Sequence, residues 1–290
     1  MEMYLPDFEY YAPATLAEAC ELLAKLGPKA KVLAGGTDVL SKMKQEQLSL
    51  EALVSIKKLD ELTEIKSNGK GVVIGARATH NSLIDAPALQ EKYPSICNAA
   101  KQMANNQIRN TGTVGGNCVN AVPSADLPPL FIALGAEVKL VGTSGERVVP
   151  LEDFFTGPNE TVIKPDEILT EFIFKDQPFT GSNYLKFSLR RSGALAVAGV
   201  ATAVVMDGDV CKEARIVMGA VAPTPLRAKE AEEILKGQKV TDELLEEAGN
   251  RAAAECKPIS DLRGSEEYRR DLVRVLTKRS LRKSISEGHV

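Results

Sequence analysis

The chain has 290 residues, 44% of them hydrophobic and 26% charged, the balance of an ordinary globular protein with room for two modest domains. Its formal net charge of -3 gives no general attraction to nucleic acid or anionic membranes, and no apolar run approaches the roughly 20 residues of a membrane span. The five cysteines (Cys20, Cys97, Cys118, Cys211, Cys256) form no CxxC pair and the two histidines are His80 and His289, so a disulfide framework, a metal cluster and a histidine-based triad all lack their residues.

Met1-Glu2-Met3-Tyr4-Leu5-Pro6 lacks the basic-then-apolar order of a signal peptide, and a cytoplasmic location is expected. Thr15-Leu16-Ala17-Glu18 is a capping box. It opens a helix with Leu16, Ala19, Leu23 and Leu26 on one face, which Gly27-Pro28 stops. Lys31–Ala34 reads as a strand, Gly35-Gly36-Thr37-Asp38 as a turn, and Val39–Gln45 as a helix. Short strands are expected at Leu53–Ile56 and Val72–Ile74, and helices around Thr79–Ile84 and Ser95–Met103. A second glycine turn, Thr111-Gly112-Thr113-Val114-Gly115-Gly116-Asn117, follows. Asp126 then stands as the N-cap of a helix through Leu134, with Gly135 as its stop. Ala136–Val141 and Arg147–Val149 flank a Gly142-Thr143-Ser144-Gly145 hairpin turn. The texture changes near Lys175-Asp176-Gln177-Pro178. Three strands follow, Tyr184–Leu189, Ala196–Val205 and Val210–Val217, with Asp207-Gly208 turning the last pair. Helices are expected at Leu226–Leu235, Asp242–Cys256 and Ser265–Ser284. The basic stretch from Arg269 to Lys283 reads as a solvated helix face.

The two glycine strings carry the chemistry. Glycine admits φ > 0 and removes the Cβ that keeps a ligand from the backbone. Two such turns in one domain suggest a pyrophosphate held from two sides. Neither is G-x-G-x-x-G, and G-x-x-x-x-G-K-[ST] is absent. Thr37, Thr113 and Asn117 can donate to phosphate. Asp38 suits a hydroxyl or a backbone N–H, and Asp126 suits a ribose. With so few catalytic side chains, the reaction is expected to belong to a bound cofactor. Arg109, Arg190 and Arg191 could meet phosphates or a partner's carboxylates, and His80 is expected to make a structural hydrogen bond.

Val32-Leu33-Ala34-Gly35-Gly36-Thr37-Asp38 and Gln107-Ile108-Arg109-Asn110-Thr111-Gly112-Thr113-Val114-Gly115-Gly116-Asn117 resemble the two FAD-binding loops of the molybdenum hydroxylase flavoproteins. That family includes the FAD domain of xanthine dehydrogenase and the medium subunit of carbon monoxide dehydrogenase. The resemblance continues through Ser124-Ala125-Asp126-Leu127-Pro128, Asp166-Glu167-Ile168-Leu169, Lys186-Phe187-Ser188-Leu189-Arg190-Arg191 and Gly219-Ala220-Val221-Ala222-Pro223-Thr224-Pro225-Leu226-Arg227-Ala228. It thus spans nearly the whole chain.

The resemblance implies an FAD site made by Val32, Leu33, Ala34, Gly35, Gly36, Thr37 and Asp38 on one side. On the other side it implies Ile108, Thr111, Thr113, Gly115, Gly116 and Asn117. Asp126 would reach the ribose–phosphate region, Leu169 would pack near the isoalloxazine, and Lys186 would stand at its polar edge. Met103 occupies the place of an aromatic residue in xanthine dehydrogenase, so nicotinamide gating by that aromatic does not carry over. The cysteine-bearing insertion of subunits resembling 4-hydroxybenzoyl-CoA reductase, which holds an extra cluster, is absent.

The fold expected is α+β. A two-lobed vanillyl-alcohol-oxidase/PCMH-type FAD domain (residues 1–176, lobes about 1–57 and 58–176) is followed by residues 177–290, a three-stranded antiparallel sheet with a helical bundle. The implied partners are a small subunit with [2Fe-2S] clusters and a large molybdopterin subunit, assembled as a dimer of heterotrimers. The implied acceptor is NAD, a quinone, ferredoxin or O2. Two alternatives stand beside this reading: a self-sufficient vanillyl-alcohol-oxidase-type flavin oxidoreductase, and a flavin-free scaffold.

Overall fold

A computed structural model describes residues 4–67 and 69–286; Met1–Met3 and His289 lie outside the described residues. Among the described residues, three larger sheets are accompanied by a two-stranded one, Phe155–Gly157 with Glu160–Thr161.

The first is a parallel sheet of three strands in the order Glu9–Tyr11, Ala52–Ser55, Ala30–Leu33. Helix Leu16–Leu26 starts where the capping box places it: Glu18 N donates to Thr15 Oγ1 at 3.2 Å, and Ala14 N donates to the Glu18 carboxylate at 2.8 Å. Its Ala19, Cys20 and Leu23 pack on Ala52 and Val54. Glu9–Tyr11 was not anticipated, because a three-residue edge strand with an exposed and half-exposed face carries no alternation to read.

The second sheet is antiparallel, in the order Ile65–Ser67, Gly71–Gly75, Ile168–Lys175, Glu137–Gly142, Gly145–Pro150. Its central strand, Ile168–Lys175, was also not anticipated. Phe172 and Phe174 on that strand meet Phe131 edge-on, with ring centroids 5.3 and 4.9 Å apart. Phe131 belongs to helix Leu127–Ala133, every residue of which is buried. A helix apolar all round must be covered on every side. The third sheet supplies the remaining cover.

That third sheet runs Gly181–Phe187, Ala198–Asp207, Val210–Gly219, Leu226–Arg227, all antiparallel, with Gln238–Lys239 paired to Val210 and Cys211. Three strands were expected and five are present. Leu226–Arg227 extends the sheet instead of opening the next helix, which begins only at Lys229. The sheet is buried on both faces. Tyr184, Ala201, Ala203 and Val217 join the core of the second sheet, while Ala198, Val200, Ile216 and Met218 face the C-terminal helices. Two-sided burial explains why Ala196–Val205 is apolar except for Thr202, whose hydroxyl bonds within the interior.

Helices Lys229–Leu235, Asp242–Glu255 and Glu266–Ser286 complete the chain. The basic stretch from Arg269 is not wholly solvated. Arg274 and Lys278 pair with Glu246, and Arg282 with Asp242, but Arg269 is 2% exposed. Thr277, Ser280 and Ser284 are buried too; Ser280 and Ser284 bond to Thr202 at 2.8 and 2.7 Å. The small hydroxyls let this helix lie close on the sheet.

Candidate functional site

The two glycine strings touch. A Cβ on Gly35 would overlap the carbonyl oxygen of Thr111 and lie 3.2 Å from Gly112 Cα. Only glycine permits that approach of backbone to backbone. The first string emerges from strand Ala30–Leu33 and enters helix Val39–Lys44, with Gly36 at φ +76°. Among the described residues, no protein acceptor takes the backbone N–H of Gly35, Gly36, Thr37 or Asp38. Consecutive free N–H groups around a positive-φ glycine form a concave anion-binding nest. Asp38 is exposed and its carboxylate caps no helix N–H.

The second string differs from expectation. It is not a turn but a helix, Val114–Val119, with Thr113 as its N-cap. Its first N–H groups are all occupied: Val114 N donates to Ala78 O at 2.9 Å, Gly115 N to Ala76 O at 2.7 Å, and Gly116 N to Thr113 Oγ1 at 3.1 Å. This string therefore offers no backbone cradle. Gly115 is needed because a Cβ there would strike Ala76, with both the oxygen and the Cβ inside 3 Å. Gly116, by contrast, opens the helix surface: a Cβ there would meet only Thr113 Oγ1. Asn117 Oδ1 is buried without a partner. An orphaned buried acceptor calls for a donor, and a ligand hydroxyl is the chemistry that fits. Thr113 keeps its hydroxyl proton available to a ligand oxygen.

Asp126 and Lys186, assigned separately above, form one buried cluster. Lys186 Nζ lies 2.8 Å from Asp126 Oδ2, with side-chain exposures of 6% and 7%. Tyr184 donates its hydroxyl to Asp126 Oδ1 at 2.8 Å. Tyr184 and Lys186 lie two apart on one strand and so share a face, while Leu185 and Phe187 pack toward the C-terminal helices. The carboxylate of Asp126 does not cap helix Leu127–Ala133, which corrects the N-cap expectation. Burial pushes its carboxyl above the ordinary value, and Lys186 and Tyr184 pull it back. Burial and the adjacent carboxylate push the Tyr184 phenol well up, so it remains a donor.

Lys186 also donates to Gln102 O at 3.1 Å, which brings Met103 beside the cluster; Met103 is 8% exposed. Arg109 proves to be a brace and not a free cation. It donates to Met103 O at 2.7 Å, and to Lys101 O and Asn81 Oδ1. It thereby ties Met103 to helix Asn106–Thr111, on which Ile108 is exposed. Val32 and Ala34 are half-buried around buried Leu33 at the end of the first strand. Leu169 is buried in the core of the second sheet, at a β-bulge, next to the Thr170 carbonyl that accepts from Ala76 N at 2.8 Å. Sequence reasoning missed Lys42. Its Nζ donates to Asn120 Oδ1 at 2.7 Å and Asn159 Oδ1 at 3.3 Å, fastening the helix after the first string to the end of the second. Its position one turn after Asp38 was the available signal.

His80 is 2% exposed; its backbone N–H donates a structural hydrogen bond to Gly112 O, while its Nδ1 has no partner. Burial, helped by Arg109, lowers its imidazole from 6.5 to about 4. His80 is therefore neutral at pH 7 and is no phosphate cation. Its imidazole resonance is expected to titrate near pH 4 in an NMR titration. Because the unfolded chain takes up that proton first, His80 should make stability fall as pH drops from 6.5 through about 4. A midpoint near 6.5 would show the ring to be solvated.

Two surface grooves, of about 400 and 340 Å³, lie away from this region. The first is lined mainly by Asp242, Glu243, Glu246 and Glu247, a lining that repels phosphate.

Residues 6–174 match the family described as the FAD binding domain in molybdopterin dehydrogenase, and residues 183–284 match the CO dehydrogenase flavoprotein C-terminal domain. The chain belongs to the molybdopterin-dehydrogenase flavoproteins. It is similar to the carbon monoxide dehydrogenase medium chain of Hydrogenophaga pseudoflava, at 38% identity covering 96% of this chain and 97% of that one. It is also similar to a xanthine dehydrogenase FAD-binding subunit of Escherichia coli O157:H7, at 34% identity covering 97% of each. A solved carbon monoxide dehydrogenase from Hydrogenophaga pseudoflava superposes with TM-score 0.95 at 37% identity, covering 98% of this chain and 99% of that chain. This flavoprotein is an oxidoreductase subunit of mixed α and β structure, and a self-sufficient flavin oxidoreductase is not favoured. No helix among the described residues is long and apolar enough to cross a membrane.

Proposed function

We propose that this flavoprotein binds FAD between its glycine strings and serves as the electron-transfer subunit of a cytoplasmic molybdopterin-dependent hydroxylase. It relays electrons from the [2Fe-2S] clusters of a small partner subunit to an external acceptor: NAD, a quinone, ferredoxin or O2. A large molybdopterin subunit oxidises the organic substrate, and the assembly is a dimer of heterotrimers. The chain divides at 176/177 into a two-lobed PCMH-type FAD domain, with lobes of about 1–57 and 58–176, and a C-terminal domain whose three long strands carry the helical bundle.

The observation that carries this reading is the run of unpartnered N–H groups from Gly35 to Asp38, set against Thr111 and Gly112. These groups hold the pyrophosphate, with Thr37 and Thr113 adding hydroxyl donors. Asn117 takes a hydroxyl, and Leu169 and Met103 supply apolar cover. FAD supplies the redox chemistry. Lys186 places an ammonium at the polar edge of the ring, where negative charge develops on reduction, and Asp126 orients it. The organic substrate is chosen elsewhere in the assembly. Subunits named for carbon monoxide and for xanthine dehydrogenase are 38% and 34% identical to this chain, nearly equal distances.

The visible spectrum of the purified chain, followed by acid release and chromatography, tests the reading. A two-band flavin spectrum that releases FAD near one per chain is expected. A protein that stays colourless, in the co-expressed complex as well as alone, and whose melting temperature ignores added FAD, overturns it.

A further inference from the structure

Arg269 is the largest fully buried side chain in the described structure, and no part of the cofactor reading uses it. A guanidinium in a protein interior is costly unless each donor is met, and apolar residues of similar volume often hold a helix to a sheet as well or better. Its contacts are therefore informative. Nη2 donates to Asp261 Oδ1 at 2.6 Å, and Nε has no partner. Nη1 donates to two main-chain carbonyls, Val197 O at 2.6 Å and Ala220 O at 3.0 Å.

Each of those residues passes the connection on through its own N–H. Val197 N donates to Phe187 O at 2.8 Å, and Phe187 follows Lys186. Ala220 N donates to Pro123 O at 2.7 Å, three residues before Asp126. Ala220 stands at φ +63°, an uncommon conformation for a residue with a Cβ, and Arg269 bonds its carbonyl. One nitrogen atom thus grips two main-chain relays, one ending at Phe187, next to Lys186, and the other at Pro123, three residues before Asp126.

We propose that Arg269 is a positioning residue for the cofactor site: through Val197 and Ala220 it sets the separation and aim of Lys186 and Asp126. This inference rests on the assignment of that pair to the FAD site. Lysine cannot replace Arg269, because a single ammonium lacks the planar fork that meets two carbonyls and a carboxylate at once.

The test compares Arg269→Lys with Asp261→Asn, using FAD dissociation constant, flavin midpoint potential and melting temperature. Arg269→Lys is expected to weaken FAD about tenfold, an ordinary coupling between linked sites, and to shift the midpoint potential. Asp261→Asn loses the charge partner but leaves Nη1 on both carbonyls. It is expected to lower the melting temperature while affinity and potential stay at wild-type values. Wild-type affinity and potential in Arg269→Lys overturn the inference, as do equal shifts in both variants for an equal loss of melting temperature.

Should Arg269→Lys not fold, hydrogen exchange on the wild-type protein decides. Coupling is reciprocal, so FAD must slow exchange at the Val197 and Ala220 amides, and unchanged exchange there overturns the inference. A wild-type protein that binds no FAD removes the proposed function and this inference together. FAD binding that ignores Arg269 removes the inference alone.

Discussion

Gly35→Ala is expected to weaken FAD binding by about ten- to a hundredfold, the equivalent of the roughly 1–3 kcal/mol of an overpacking clash. The new methyl would overlap the carbonyl oxygen of Thr111 and crowd its carbonyl carbon at 2.9 Å. Both obstacles are backbone, so no rotamer change relieves them. The two strings must move apart, and the N–H groups of Gly35 to Asp38 lose their setting against Gly112. Gly27→Ala is the control. Gly27 has positive φ, +65°, which Gly35 does not, and nothing lies within 4 Å of its would-be Cβ. That variant should lose about 1–3 kcal/mol of stability from the positive-φ backbone and keep its FAD affinity. Fluorescence titration of FAD against both variants, with melting curves, makes the comparison. Wild-type affinity in Gly35→Ala would remove the contact between the strings from the site.

Lys186→Met is expected to cost about 3–5 kcal/mol of stability, the range for breaking a buried ion pair by removing one partner. Asp126 is left at 7% side-chain exposure with the Tyr184 hydroxyl as its remaining donor. Its carboxyl, already raised by burial, rises further without the ammonium. The sign of the pH dependence follows. A carboxyl whose folded value lies above its unfolded value binds more protons in the folded state, so the variant loses stability as pH rises through the raised value. Denaturant titrations at acidic and neutral pH should show that slope in Lys186→Met and a shallower one in wild type. Adding Asp126→Asn removes the charge and should recover part of the loss. Where FAD remains bound, its midpoint potential should fall, because the cation that favours the reduced, negatively charged ring is gone. An unchanged potential would leave Lys186 a purely structural residue.

The elements legible in the sequence were those with strong local signals. The helix after Thr15 announces its own cap, and Gly142–Gly145 and Asp207-Gly208 turn hairpins where their residues demand it. Ile168–Lys175 escaped notice although it is the centre of the second sheet. Its neighbours are Gly71–Gly75 and Glu137–Gly142, and pairing across such separations leaves little local trace. Arg269 escaped for the opposite reason. Amid Asp271, Arg274, Lys278 and Arg282 it has the pattern of a solvated face, and only packing on the third sheet buries it.

The sequence by itself determined the family and the residue types on which the proposed site rests: two glycine strings, an acid and a lysine. These are choices of residue type, and backbone freedom, charge and hydrogen-bonding capacity belong to residue types. Tertiary structure decided how each is used. Gly35 serves close contact with Thr111, Gly115 serves close contact with Ala76, and in the second string Val114, Gly115 and Gly116 spend their N–H groups on the scaffold. Asp126 and Lys186, 60 residues apart in the chain, become one buried pair. Such meetings depend on how separate strands and helices pack, and chain proximity does not encode packing.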